Sequence, residues 1–174
     1  MDDPFETLGI ARRYDVDLRA VEKQHRELSR ALHPDRFVNA PASEKKAALE
    51  KAVAANEAWR VVRDPIRRAE AILALAGVAV DEAKAPKPDA EFLMEMLELR
   101  EALADAKGAR DLAKVRAMGK DMEARTSGAE KALAESFARG DAATLAGLVP
   151  RVGELRFYRR VLDEVSAIED ELAA

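Results

Sequence analysis

Helix-forming residues fill nearly the whole chain, and no stretch of four or more residues is typical of a β-strand. Alanine, leucine, glutamate, lysine and arginine dominate, whereas the 174 residues include only 8 glycines and 7 prolines. Such residues favour helix, and amphipathic helices bury their apolar stripes against one another. The predicted fold class is therefore all-α.

Composition divides this helical chain into two parts. Residues 1–77 carry 14 basic and 13 acidic side chains, whereas residues 78–174 carry 15 and 20. Pro86 and Pro88 disfavour helix at the residues before them, which indicates a linker. Because 36 of the hydrophobic residues are alanine, the large apolar residues fit two thin cores better than one. We therefore predict a first domain at 1–76, a linker at 77–88 and a helical domain at 89–174.

Capping residues, prolines and glycines set the predicted helix limits. In the first domain, with Asp17 and Asp64 as N-caps, they place helices at 4–8, 17–32, 43–63 and 65–76. In the second domain they place helices at 89–106 and 111–125, with further boundaries at Gly128 and at Gly140-Asp141. The last helix runs to Leu172 from near Asp141 or Pro150, so Pro150 either opens this helix or kinks it.

Several classes of function are disfavoured by what the chain lacks. Without cysteine it has no disulfide, no thiol nucleophile and no cysteine ligand for zinc or an iron–sulfur cluster. Two histidines leave little for a metal site, so we expect no metal and no cofactor. No run approaches 18 apolar residues, so no membrane span is expected. The acidic N-terminus lacks a signal-peptide pattern, so the expected compartment is the cytoplasm.

The predicted helix at 17–32 carries a segregated basic face. Arg19, Lys23, Arg26 and Arg30 fall within about 60° of one another on a helical projection, apart from the apolar stripe. Such a face is often only solvated, but four cations in one stripe favour an acidic partner surface. Nucleic acid is the competing partner. We discount it because the net charge is −4 and aromatic residues make up only 5% of the chain.

His33, Pro34 and Asp35 follow directly where this helix ends. Taken alone, the tripeptide is weak evidence of function. His33 has no nucleophile or second histidine placed to work with it, and a turn or capping role alone would explain Asp35. Proline fixes a sharp corner and keeps both polar side chains on the loop, which favours presentation to a partner over burial.

In its context the tripeptide resembles the signature of a J domain. The resemblance also rests on the opening segment 4–9 and on the Asn-Glu-Ala-aromatic pattern at 56–59. J domains bind the ATPase domain of DnaK-type chaperones and stimulate ATP hydrolysis there. The resemblance implies an antiparallel helical hairpin with the tripeptide in its loop. The implied chaperone-binding residues are Arg19, Lys23, Arg26, Arg30, His33, Pro34, Asp35 and Arg36.

Two residues depart from the usual J-domain pattern. His25 stands at a core-edge position where J domains commonly carry an aromatic residue. We expect its ring to be partly buried and hydrogen-bonded to backbone. Arg36 replaces the common lysine after the tripeptide, and this exchange keeps the positive charge.

The helix that begins at Asp89 has two distinct faces. The first is a core stripe of Phe92, Met96, Leu99 and Leu103. The second combines apolar and acidic residues, namely Leu93, Met94, Leu97, Glu98, Glu101 and Asp105. Such a helix is either buried on both sides or exposes one face. Leucine and adaptable methionine at the centre, with carboxylates at the rim, are typical of a partner site.

Residues 92–101 closely resemble the HscB family, J-domain co-chaperones of iron–sulfur cluster biogenesis. Further matches at 68–70 and 155–157 extend the resemblance over essentially the whole chain. It implies that the C-terminal domain is a three-helix bundle that binds the cluster scaffold protein IscU. The implied scaffold-binding residues are Leu93, Met94, Leu97, Glu98, Glu101, Asp105 and Phe157. Some animal members carry a cysteine-rich zinc module, and this chain has no cysteine to form one.

The resulting hypothesis is an adaptor without bond chemistry of its own. It binds an HscA- or DnaK-type chaperone, stimulates its ATPase and delivers IscU for cluster assembly and transfer. The alternative is a general folding J protein, although the chain has no Gly/Phe-rich linker. A small enzyme using His33, Asp35 or the Glu98/Glu101 pair is disfavoured, because no complementary groups are placed for acid–base chemistry. A purely structural helical protein would need all these motifs to coincide by accident.

Overall fold

The computed structural model describes residues 2–80, 88–140 and 142–173. Every regular element in these ranges is helical. The chain divides into two compact units, Met1–Ala79 and Val80–Ala174. Most of the predicted linker, residues 81–87, lies outside the described residues. Within the described ranges, no helix combines the length and the apolar character that a membrane crossing requires.

Aspartate caps open three of the helices in the first unit. Its elements are α1 (Pro4–Thr7), α2 (Leu18–Ala31), a 3₁₀ turn (Pro34–Phe37), α3 (Ala42–Arg63) and α4 (Pro65–Leu75). The side chains of Asp3, Asp17 and Asp64 each accept hydrogen bonds from two backbone N–H groups of the first turn. These carboxylates satisfy donors that a helix start leaves unpaired. The predicted caps Asp17 and Asp64 are thereby confirmed.

α2 and α3 form an antiparallel hairpin. His25 of α2 contacts Asn56 of α3. Leu32 follows His25 by seven residues, and it lines the same groove as Leu49, which precedes Asn56 by seven residues. The two helices therefore run in opposite directions. The core beneath this hairpin holds alanines and Val62 of α3 together with large side chains from the other elements. Its fully buried large residues are Phe5, Leu8, Val62 and Leu73.

Arg68 is a charged side chain buried in this core, only 7% exposed. Its Nη1 donates to the carbonyl oxygen of Val62 at 2.7 Å, and its guanidinium carbon lies 4.7 Å from the centre of the Tyr14 ring. Val62 lies in the last turn of α3, where carbonyl groups have no partner within the helix. The buried cation therefore caps the C-terminus of α3, where the helix dipole favours positive charge.

Two capping residues mark a helix start and a helix end in the second unit. Its helices are α5 (Ala90–Gly108), α6 (Leu112–Arg139), α7 (Ala142–Ala146) and α8 (Val149–Ala173). The carboxylate of Asp89 accepts the Phe92 N–H at 2.7 Å, which confirms the predicted cap. α6 ends at Gly140, whose φ of 54° lies in the left-handed region that glycine adopts without strain. The adjoining boundary residue of the prediction, Asp141, lies outside the described residues.

The predicted helix end at Arg125 and the predicted boundary at Gly128 are wrong, because α6 passes through both without a break. Of the two alternatives for Pro150, the first is confirmed: Pro150 lies in the first turn of α8, so it opens the helix and does not kink it. A glycine inside a helix costs about 1 kcal/mol relative to alanine. Met122 and Leu133, both fully buried, anchor α6 on either side of Gly128 and outweigh this cost.

α5, α6 and α8 pack as a three-helix bundle. Its buried core comprises Met96, Leu103, Ala106, Val115, Met122, Val161, Val165 and Ile168. α6 and α8 pack tightly at Gly119, where a Cβ atom would lie only 2.9 Å from Cγ1 of Val165. The backbone of α6 therefore needs glycine at this crossing.

Candidate interaction surfaces

The four predicted cations of α2 form a basic stripe, defined as Arg19, Lys23, Arg26 and Arg30. All four are exposed, and their spacing of four, three and four residues places them on one side of the helix. Lys23 lies 4.0 Å from Glu27, and Arg26 lies 2.9 Å from Glu22. Within the described residues, no carboxylate pairs with the first or the last cation, so positive charge remains unpaired at both ends of the stripe.

The predicted tripeptide continues from the end of α2 as an exposed corner. The side chains of His33 and Asp35 are 59% and 86% exposed. Nδ1 of His33 accepts the backbone N–H of Asp35 at 3.3 Å and lies 3.5 Å from its carboxylate. With Nδ1 accepting a hydrogen bond, the neutral ring carries its proton on Nε2. Pro34 and Arg36 are exposed beside them, so all eight predicted chaperone-binding residues face solvent.

His25 ties the two helices of the hairpin together. Its Nε2 lies 2.9 Å from Oδ1 of Asn56, and its ring stacks on Trp59 at 5.5 Å between centres. The ring is partly buried as predicted, but its partner is a side-chain amide where we expected backbone. The reason is geometric: a side chain on the α3-facing side of α2 meets side chains of α3, whose backbone is already paired within the helix.

An apolar groove of about 430 Å³ lies beside Pro34. It is lined by Leu32, Pro34, Phe37, Val38, Lys45, Ala48, Leu49 and Ala52. Val38 and Leu49 are 63% and 60% exposed, which is unusual for residues of this size. Sequence reasoning missed this groove. The available signal was the pair Leu49 and Val53, which are spaced by four residues on α3 outside its stripe of buried alanines.

The predicted scaffold-binding residues include an apolar patch, defined as Leu93, Met94, Leu97 and Phe157. Met94 and Leu97 are 57% and 52% exposed, and Leu93 is partly buried. Phe157 is also partly buried and packs edge to face against Phe92, with 5.7 Å between ring centres. The patch is therefore open to solvent at its centre and anchored to the core at one side.

Contacts between α5 and α8 show that the patch straddles both helices. Arg100 pairs with Glu164 at 3.1 Å, and Lys107 pairs with Glu171 at 2.7 Å. The two pairs are seven residues apart on each helix, so α5 and α8 run parallel here. One step of seven earlier, the same spacing assigns Leu93 and Phe157 to corresponding positions on the two helices. The first of these three positions thus has an apolar pair where the next two have ion pairs.

Three unpaired carboxylates lie next to the apolar patch. Glu98, Glu101 and Asp105 are exposed, and the described residues offer none of them an ion-pair partner. By contrast, Glu95 on the flank of the same helix is bonded by Arg125 of α6. These three carboxylates follow Met94 along the exposed face of α5, where they are free to meet cations of a partner.

Two titratable groups on α8 have shifted pKa values. Burial raises the pKa of Glu154, with Arg151 opposing this shift and Asp89 adding to it. Burial likewise raises the pKa of Tyr158, and Glu154 contributes to that shift. Neither group belongs to the two predicted surfaces. Across the described ranges, no cluster of three or more histidine, aspartate or glutamate side chains could hold a metal ion.

Comparison with curated proteins decides the family. A protein of Aeromonas hydrophila called "Co-chaperone protein HscB homolog" is 32% identical over 169 residues, which cover 97% of this chain and 96% of that protein. A protein of the same name from Aeromonas salmonicida is 33% identical over 172 residues, with the same shares covered. The chain belongs to the HscB co-chaperone family.

Family models and solved structures agree with this HscB membership. The model described as "HSCB C-terminal oligomerisation domain" matches residues 88–166. The chaperone HscB from Vibrio cholerae has a TM-score of 0.86 at 28% identity, over 98% of this chain and 99% of that chain. The human co-chaperone HscB shares the fold, with a TM-score of 0.84 at 20% identity, over 96% of this chain and 82% of that chain. The predicted all-α architecture of a J domain and a helical C-terminal domain is confirmed, and so is the resemblance to HscB.

Proposed function

We propose that this HscB-family co-chaperone couples a DnaK- or HscA-type chaperone to an iron–sulfur scaffold protein of the IscU type. The basic stripe and the tripeptide bind the chaperone and stimulate its ATPase. The apolar patch and its carboxylates hold the scaffold. The protein itself performs no bond chemistry: ATP is hydrolysed by the chaperone, and the cluster is cargo of the scaffold. We place this activity in the cytoplasm.

One observation carries the proposal: each unit presents an exposed surface that includes charges without partners within the described chain. Unpaired cations flank an exposed histidine–proline–aspartate corner on the first unit. Unpaired carboxylates adjoin exposed Met94 and Leu97 on the second unit. Unpaired charges of opposite sign on two compact units suit two different partners, because each surface repels what the other attracts.

An ATPase assay on a DnaK- or HscA-type chaperone tests the first half of the proposal. We expect the wild-type protein to accelerate hydrolysis, and to do so further when scaffold is present. His33→Gln should lose most of this stimulation while the protein remains folded, because the ring is exposed and bonds only to its own turn. Lys51→Gln, which changes an exposed residue of α3, is the control. Full stimulation by His33→Gln would contradict the assignment of the tripeptide.

The double variant Leu93→Ala, Phe157→Ala tests the second half of the proposal. We expect scaffold affinity, measured by calorimetry, to fall at least about tenfold, because aromatic and leucine anchors dominate interfaces. Stimulation of the chaperone without scaffold should stay at the wild-type level.

The control for the patch removes exposed apolar side chains from the other unit, as Leu49→Ala, Val53→Ala. This control should retain scaffold affinity. Equal scaffold affinity of the Leu93/Phe157 double variant and the wild type would disprove the patch. A preference of the wild type for unfolded polypeptides over scaffold would favour a general folding co-chaperone instead.

A further inference from the structure

Arg160 lies against the apolar patch and has no carboxylate partner among the described residues. Its guanidinium carbon is 4.4 Å from the centre of the Phe157 ring. The usual partner on its own helix would be Glu164, four residues later. That carboxylate is instead bonded by Arg100 of α5 at 3.1 Å. The Arg100–Glu164 ion pair between the helices therefore leaves Arg160 without a carboxylate partner. The guanidinium of Arg160 lies over the face of the Phe157 ring instead.

The Phe157 ring is held between two groups. Arg160 lies over its face, and Phe92 contacts it edge to face with an angle of 80° between the ring planes. Both arrangements match the ring's charge distribution, which is negative on the face and positive at the edge. The ring is therefore contacted both on its face and by a second ring, and the exposed cation of Arg160 provides the contact on the face.

Charge around the patch is consequently divided by side. A helical projection around α5, starting at the α8 side, gives the order Leu93, Leu97, Glu101, Met94, Asp105 and Glu98, so the carboxylates lie on the Met94 side of the patch. The three unpaired carboxylates Glu98, Glu101 and Asp105 continue the exposed face of α5. Arg160 lies on the α8 side, beside Phe157. One edge of the apolar patch is therefore positive and the other is negative.

We propose that Arg160 belongs to the scaffold-binding surface and binds a carboxylate of the scaffold protein. This inference rests on the proposed function and adds a chemical demand on the partner. The scaffold segment must carry apolar side chains with basic residues toward α5 and an acidic residue toward α8. Because a segment docked in reverse would bring like charges together at both edges, this division fixes the orientation in which the scaffold binds.

Three substitutions of Arg160 separate its charge from its packing. Arg160→Met retains a long side chain over the ring without charge, Arg160→Lys retains the charge, and Arg160→Glu reverses it. Scaffold affinity is measured by calorimetry at low and at high salt. At low salt we expect losses of about threefold to tenfold for Arg160→Met, less for Arg160→Lys and more for Arg160→Glu. High salt should narrow these differences because it screens the exposed charge.

The matched control is Lys120→Glu, which makes the same change of charge in the groove between α6 and α8. It should bind scaffold as the wild type does. A second measurement identifies the acidic partner on the scaffold. Each surface carboxylate of the scaffold is changed to lysine, one at a time. We expect one of these changes, and only one, to restore binding to the Arg160→Glu variant. Stimulation of the chaperone without scaffold should not change in any of these variants.

The outcomes distinguish this inference from the proposed function. If Leu93→Ala, Phe157→Ala weakens binding but Arg160→Glu binds as the wild type does at both salt concentrations, the inference is overturned and the proposed function stands. If the wild type does not bind scaffold, both are overturned. If Arg160→Glu weakens binding only as much as Lys120→Glu, the effect is one of net charge, and the assigned contact is overturned.

Discussion

Asp3 shows how one carboxylate can hold two segments of the first unit. Its Oδ1 accepts the backbone N–H groups of Phe5 and Glu6, which opens α1. Its Oδ2 is bonded by Arg12 at 2.6 Å, nine residues away in the connection to α2. Burial raises the pKa of Asp3, but the hydrogen bonds from Arg12 and the two N–H groups bring it below the ordinary value.

Asp3→Asn tests the charge at this position, because asparagine is also a good N-cap. A carboxylate with a lowered folded pKa stabilises the protein above its unfolded pKa, and this contribution disappears as pH falls through the folded pKa. The wild type should therefore be more stable than Asp3→Asn at pH 7, and the difference should shrink below about pH 4. Urea unfolding at several pH values measures this difference.

The control for Asp3→Asn is Asp2→Asn, which removes an exposed neighbouring carboxylate. This control should change stability little at any of the pH values. A stability difference between wild type and Asp3→Asn that is the same at pH 7 and pH 3 would contradict the role assigned to the charge.

Individual side-chain positions were predictable where a local rule decides them. Asp17, Asp64 and Asp89 cap helices because a short carboxylate before a helix meets its free N–H groups. The side-chain partner of His25 was missed because it lies on a second helix, and the lack of a carboxylate partner for Arg160 was not foreseen because it too depends on a second helix. No local pattern states that Arg100 of α5 takes the carboxylate that would otherwise pair with Arg160.

The crossing of α6 and α8 depends on one glycine, and a second glycine of the same helix provides its control. Gly119→Ala would place a methyl group 2.9 Å from the stiff Val165 side chain. Overpacking of this kind costs about 1–3 kcal/mol, more than the roughly 1 kcal/mol that alanine gains over glycine in a helix. We expect Gly119→Ala to destabilise the second unit in urea unfolding followed by circular dichroism.

Gly128→Ala should have the opposite effect. A Cβ at this position meets no atom within 4 Å, so only the gain in helix propensity remains, about 0.5–1 kcal/mol. If the two variants shifted stability in the same direction, close packing at Gly119 would not be what distinguishes the positions.

The glycines of α6 show which helix boundaries could be predicted from the sequence. Gly140 lies at the helix end, as predicted from its residue type. Gly128 has the same intrinsic cost but does not end α6, because Met122 and Leu133 bury themselves on either side of it. The helix propensity of a residue determines a helix boundary only where packing against other helices does not oppose it. That packing cannot be predicted before the arrangement of the helices is known.

At the scale of the molecule, the two surfaces belong to separate compact units of one chain. Under the proposed function, a scaffold held by the second unit is brought to the chaperone held by the first at a raised effective concentration. The covalent connection between the units is then part of the mechanism, and two separate molecules cannot replace it.

A mixture of two defective variants tests this connection. One variant carries His33→Gln and the other carries Leu93→Ala with Phe157→Ala. Each variant retains one surface, so we expect the mixture not to restore the extra ATPase stimulation that scaffold gives with the wild type. Equal amounts of wild type and either variant serve as the control. Full restoration by the mixture would show that the two surfaces act independently.

The all-α architecture could be predicted from the sequence because it follows from the composition and from the capping residues, prolines and glycines of the whole chain. A wrong prediction at one helix boundary does not change the fold class. The exposed pair Met94 and Leu97 was also accessible, since a helix with two apolar faces leaves one of them without a partner in a three-helix bundle. The groove beside Pro34 was not, because it forms between a loop and α3, and no periodic pattern describes a loop.

The two contacts of the Phe157 ring have a consequence for association with a partner. A side chain that is already ordered by Phe92 and Arg160 loses little rotational freedom when a partner arrives, so less conformational entropy opposes association. Useful binding then needs only a small contact area, and a small contact can also be released quickly. Under the proposed function, such rapid turnover suits a protein that passes the scaffold on to the chaperone.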